Sequence, residues 1–208
     1  MEDVLEVYQR PPDDSRPLVC LDEFAKQLLS ETRLPIPATS RHVARHDYEY
    51  VREGSVSGFI LAVPHLGGRD VFIGEDGRRT AKDFAACLDY LANHVLPEAD
   101  KIILVMDNLN THKEASLYEA FPPEKARRLC ERFEFHYTPK HGSWLNMAEI
   151  EIGLLVRGCL DRRIASVKEF RREVAAYLER KNENPSPINW QFTNEKARVK
   201  LKSLYPAV

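Results

Sequence analysis

The order of segments predicts an α/β fold: a mixed five-stranded sheet flanked by helices. Three observations carry that prediction. Early in the chain, strand-like segments follow one another through short glycine-containing turns, the mark of an antiparallel meander. Near the middle, Ile102 to Met106 form an unbroken apolar run between Lys101 and Asp107, which reads as a strand buried on both faces. Around and after that run, segments with helical spacing of apolar residues alternate with strands, an α/β layer pattern.

In chain order, residues 1–17 hold an apolar pair and then a Pro-Pro-Asp-Asp break, which reads as the end of a helix and a linker. Leu18 to Leu21 form the first buried strand and deliver Asp22 and Glu23; the run resumes as FAKQLL and ends in a proline-rich loop at Pro35 and Pro37. A strand that long, extending past its acid, suits an outer hairpin. A basic loop and a Glu-Gly-Ser turn at 53–55 precede a second strand, Val56 to Val63. A third runs from Asp70 to Gly74.

Thr80 caps a helix with Asp83 as its capping-box partner, and Phe84, Leu88, Leu91 and Val95 form its apolar stripe before Pro97. After the central strand, 113–121 and 123–132 read as two short helices split by Pro122-Pro123, and FEFHYTP (133–139) as the fifth strand. SWLNMAEIEIGLLVRGCLD reads as a helix apolar nearly all round and hence buried. A long helix from Ser166 to about Asn184 follows, and NENPSP breaks it. Residues 18–184 thus read as one domain, and 185–208 as a tail docked on it through Trp190 and Phe192. The meander-then-alternation order is the one an RNase H-like sheet uses.

Composition narrows the function classes. The chain has 208 residues, 43% hydrophobic and 30% charged, a globular composition with one good-sized core. No apolar run approaches a membrane span, and the acidic N-terminus MEDVLEVYQR is no signal peptide, so cytoplasmic residence is expected. Cys20, Cys87, Cys130 and Cys159 lie far apart with no C-x-x-C pair, against a zinc knuckle or a disulfide framework. A net charge of −2 offers no global positive field, so any nucleic acid must be gripped by local patches or in a cation-filled cleft.

The chemistry concentrates in acids. Asp107 ends the central strand, where open α/β sheets place ligands; the plainer reading is a turn supported by Asn108 and Asn110. Asp22 ends a second strand, and Glu149 falls in the first turn of a helix. If the two strands are neighbours, these three carboxylates can converge on a pair of hard divalent cations, and crowding should raise their pKa values. Glu151 lies about 200° around the helix from Glu149, so only one of them can face such a centre, and Glu149 is the choice. Strand alternation turns Glu23 away from Asp22, toward solvent or a loop.

VMDNLNTH resembles the Asp-Asn-x-x-x-His block of mariner-like insertion-sequence transposases, members of the DDE transposase and retroviral-integrase superfamily. HYTPKHGSWLNMAEIE resembles their block of a proline-rich loop followed by Leu-Asn-x-x-Glu, and CLDE their first acidic strand. The resemblance covers roughly 18–205. It implies an RNase H-like catalytic domain with Asp22, Asp107 and Glu149 as catalytic metal ligands, two Mg²⁺ or Mn²⁺ ions, and DNA as substrate, both transposon ends and target. Asn108, His112 and Asn146 match positions that support the site. Pairing into a homodimer at some stage, and a helix-turn-helix region that reads element ends, are further implications; nothing in residues 1–17 could be that region, so a separate helix-turn-helix chain is expected. Two other departures stand out. KHGSW replaces the family's usual Ser-Pro-Asp turn, and the Asp107-to-Glu149 spacing of 42 exceeds its commonest one, with 113–132 enlarged.

Several assignments keep two readings. His112 orients an acid or touches the scissile phosphate, or caps the following helix. Lys140 and His141 contact DNA phosphate or are solvated. Trp144 is a core or hinge aromatic rather than a base-stacking platform. The arginine pairs 127–128 and 171–172 read as solvated helix faces, with Arg162 and Arg163 the best candidates for a DNA-backbone clamp. For the whole chain the rivals are a metal-dependent nuclease without strand joining, and an inactive regulatory module derived from a transposase.

Overall fold

A computed structural model describes residues 1–109 and 112–205; Asn110, a candidate turn-supporting residue, lies outside the described residues. Five strands form one sheet: β1 (Leu18–Glu31), β2 (Tyr50–Val63), β3 (Gly68–Phe72), β4 (Ile102–Met106) and β5 (Phe133–Tyr137), in the order β3-β2-β1-β4-β5. β1, β2 and β3 are the antiparallel meander, while β4 runs parallel to both β1 and β5. This is the RNase H-like mixed sheet the segment order predicts.

Each face of the sheet is covered because the strands alternate. Leu18, Cys20, Phe24, Ile60, Ala62, Ile103 and Val105 point to one face, where α1 (Glu2–Gln9), α5 (Ala148–Leu155) and α6 (Val167–Asn182) close the core. Val19, Leu21, Phe59, Leu61, Ile102, Leu104 and Met106 point to the other, under α2 (Ala81–Tyr90), α3 (Glu114–Ala120) and α4 (Pro123–Arg132). The Thr80–Asp83 capping box starts α2 as its sequence predicts. Pro123 starts α4, where its missing N–H costs nothing.

Several expectations are corrected. The helix end read within residues 1–17 is α1, and it packs into the core, with Val4, Leu5, Val7 and Tyr8 buried, each large apolar side chain worth about 1.5–3 kcal/mol. The Glu-Gly-Ser turn is instead a bulge inside a continuous β2: pairing shifts between Leu28 and Leu29, and Gly54 takes φ 105°, a conformation glycine adopts without steric cost. The third strand is Gly68–Phe72, two residues earlier than expected. The helix after residue 143 is broken into a 3₁₀ turn (Ser143–Leu145), α5, and a π turn (Val156–Leu160), and it leaves Glu149, Ile150 and Val156 exposed.

In the tail, α7 (Asn194–Lys200) places Ala197 against Leu5 and Leu145, with Trp190 and Phe192 packed beside them. Trp144 is half exposed and meets Phe192 edge-on, with ring centroids 5.6 Å apart. All four cysteines are free, and no described helix is long and apolar enough to cross a membrane.

Candidate active site

Parallel pairing of β1 with β4 aligns Cys20 with Val105, so the two chains run on together to Asp22 and Asp107 at the same end of the sheet. Asp22 has the parity of Cys20 and Phe24 and so belongs to the α5 face. There Asn146 bridges the strand and the start of the helix. Its Nδ2 donates to Leu21 O at 2.8 Å and to Asp22 Oδ2 at 3.3 Å, while its Oδ1 accepts from Ala148 N at 3.1 Å. Asn146 is 1% exposed, so this bridge is a fixed part of the core that carries the first turn of α5, with Glu149, to Asp22.

The Asp22 carboxyl is pushed up to about 6, by burial first and then by the negative charges of Glu149 and Asp107; its neighbour's N–H, donated by Glu23 at 2.8 Å, works the other way. Asp22 therefore feels both of the other acids. Among the described residues they are not closed into a coordination shell: no three His, Cys, Asp or Glu groups are gathered tightly enough to hold an ion as they stand. Asp107 is 29% exposed at the side chain and Glu149 is exposed, so both reach solvent at this end.

His112 lies on the opposite face, fully buried, stacked on Phe84 with centroids 4.7 Å apart and next to Phe59. Its Nδ1 donates to Asp107 Oδ1 and its Nε2 donates to Glu23 Oε1 at 2.9 Å. Burial opposes the charge, but the two carboxylates outweigh it and raise the imidazole to about 9. Of the readings open for His112, orienting an acid is the one its geometry matches. Glu23 departs from expectation. Alternation does turn it away from Asp22, but that face is roofed by α2, so the side chain is only 6% exposed and is also paired to Arg79 at 2.9 Å. The signal was available: an apolar stripe on α2 implies that the sheet face beneath it is covered, and a covered glutamate needs partners.

Glu151 is on the far side of α5, 3% exposed, with Oε2 at 2.8 Å from Arg69 Nε. Burial raises its pKa, and the Arg69 and Lys181 charges partly offset this. Geometry thus sets the two glutamates apart, as the helix spacing predicts, with Glu151 taken up in a buried ion pair.

The loop into α5 is a tight turn. Gly142 N donates to Pro139 O at 2.8 Å, and a Cβ at Gly142 would sit 2.6 Å from Pro139 Cγ, so KHGS needs its glycine; His141 takes φ 63°. Lys140, His141 and Asn108 are exposed. The two arginines read as a clamp are engaged within the protein. Arg163 bonds Glu31, Glu49 O, Asp47 O and Tyr48 O, tying the β1–β2 hairpin to the body, and Arg162 bonds Glu173 and Cys159 O. Arg171, expected as solvated, donates to the carbonyls of Ile73, Gly74 and Glu75.

Sheet order and acid placement define the class, an RNase H-like domain with one carboxylate inside its central strand β1 and another just past the end of the neighbouring parallel strand β4. The DDE superfamily endonuclease family matches residues 17–171, most of the chain, and the chain belongs to that family. Among solved structures it is similar to the Mos1 mariner paired-end complex with Mn, at TM-score 0.54 and 15% identity over 85% of this chain and 52% of that one. It is similar also to the Mos1 strand transfer complex, at 0.53 and 12% over 85% and 51%. A third likeness is to a pre-cleavage Mos1 transpososome, at 0.51 and 13% over 85% and 52%. These likenesses show the fold, and the chain spans about half the length of the Mos1 chains. No curated protein matches it.

Proposed function

We propose that this domain cuts and joins DNA strands at transposon ends, with Asp22, Asp107 and Glu149 as the catalytic carboxylates. The observation that carries the reading is geometric: parallel pairing of β1 with β4 brings Asp22 and Asp107 to the same end of the sheet, and Asn146 ties the start of α5, which carries Glu149, to Asp22. The donor set suits the cofactor: three carboxylates and no thiolate or free imidazole form an all-oxygen set for hard cations. A solved Mos1 mariner complex carries Mn. Two Mg²⁺ or Mn²⁺ ions held by these residues would supply Lewis-acid activation and charge neutralisation at the scissile phosphate.

The chain's own groups do the positioning. Asn146 fixes Asp22 relative to α5, His112 holds one oxygen of Asp107, and exposed Glu149 can swing toward them. Water or a 3′-hydroxyl would attack the phosphodiester in line, with no covalent enzyme intermediate, so charge stabilisation and alignment dominate. Lys140 and His141 on the exposed loop suit contact with DNA phosphate. Recognition of transposon ends would fall to a helix-turn-helix chain or segment, and a homodimer would pair two ends.

A precut 3′-hydroxyl substrate with target DNA and Mn²⁺ tests the proposal. Strand-transfer product is expected from the parent domain supplied with its end-binding partner, and none from Asp107→Ala at unchanged melting temperature. Cleavage without joining would reduce the protein to a nuclease; full activity in Asp107→Ala would end the reading.

A further inference from the structure

We propose that Glu23 is a positioning residue of the same centre: acting through His112, it sets the orientation of Asp107 and its separation from Asp22. The inference rests on Asp107 being a ligand, as argued above. Asp22 lies inside a paired strand and is held by its own neighbours, Glu23 N and Asn146 Nδ2. Asp107 has no such frame. It follows Met106, the last residue of β4, and residues 107–109 belong to no helix or strand. A carboxylate on irregular backbone can rotate unless another group holds it, and rotation spoils coordination geometry long before it affects the fold.

His112 is that group. It has no freedom of its own, being fully buried, stacked on Phe84 and bonded at both ring nitrogens. One bond reaches Asp107 and the other reaches Glu23, the residue next to Asp22. Glu23, His112 and Asp107 therefore form a cross-brace between β1 and the end of β4, the two elements that carry the two aspartates. Arg79 holds the outer oxygen of Glu23 at 2.9 Å, so the brace is anchored at its far end as well. Supports of this kind typically change metal affinity or activity by 10–100-fold when removed.

The test is calorimetric titration with Mn²⁺ alone on the parent, Glu23→Ala, Glu23→Gln and Asp107→Ala, with melting curves in parallel. Glu23→Ala should bind Mn²⁺ about 10–100-fold more weakly. Glu23→Gln keeps an oxygen that can accept from His112 Nε2 and should recover most of the affinity. If Glu23→Ala fails to fold, Arg79→Ala, a change at a half-exposed side chain, should still weaken binding severalfold. Parent-like binding in Glu23→Ala, or in Arg79→Ala where that variant stands in for it, overturns the proposal, as does a Gln variant no better than Ala. Loss of binding in Asp107→Ala then confines the failure to the brace, whereas its retention shows that the ligand assignment has failed too.

Discussion

Glu149 and Glu151 stand two residues apart on one helix and live in opposite worlds. Glu149 is exposed and its charge bears on Asp22; Glu151 is sealed at 3% exposure against Arg69, whose guanidinium also donates to Gly67 O while its backbone is bonded by Asn182. Both are carboxylates in the first turn of α5. One stays open to solvent, where cations can reach it, and the other is neutralised on the spot, which suits it to hold the helix to β3 and α6. Placement around the helix, more than residue type, separates a candidate ligand from a strut.

The sharpest way to break that contrast is to remove each charge in turn. Glu149→Gln should lower DNA cleavage by about 10³-fold, the scale of losing a group that stabilises transition-state charge, with melting unchanged. Glu151→Gln should do the reverse: it leaves Arg69 buried without its counter-charge and costs about 3–5 kcal/mol by denaturant unfolding, while activity per folded molecule persists. Equal loss of activity in both would erase the distinction. Replacing the pair together, Arg69→Met with Glu151→Met, should return stability to the parent's level or above, because well-packed apolar residues avoid the desolvation cost of two ions.

A smaller effect follows from Asp22. Its folded pKa is raised from 3.8 to about 6, so its contribution to stability is present at low pH, where the carboxyl is protonated, and is lost as pH rises through about 6. Asp22→Asn should therefore raise the melting temperature of the cation-free protein well above pH 6, and the gain should vanish toward pH 3.8. A gain independent of pH would mean that crowding of charge is not its source. The smallest change is expected away from the acids. Arg163→Ala should cost about 1 kcal/mol and speed hydrogen exchange in residues 31–50, with DNA affinity unchanged.

Much of this was legible in the residues. Alternation and apolar runs locate the strands, the Thr80–Asp83 box and the Phe84 stripe announce α2, and helical angle shows that Glu149 and Glu151 cannot share one centre. Burial of Ile102–Met106 and the position of Asp107 behind it follow from local pattern, because side-chain period is a property of neighbouring residues. Pairing of β1 with β4 does not. It brings together residues 85 apart in the chain, and only that adjacency sets Asp22, within β1, beside the end of β4 that leads to Asp107. The same holds for Glu23, whose partner His112 arrives from another element, for Arg163, which is occupied by a hairpin more than 100 residues earlier, and for α1, whose short stripe finds its core only in the folded chain. Period and capping are local and can be read along the line; partners for buried charge are chosen by topology, since what satisfies a buried polar group is whatever the fold sets beside it.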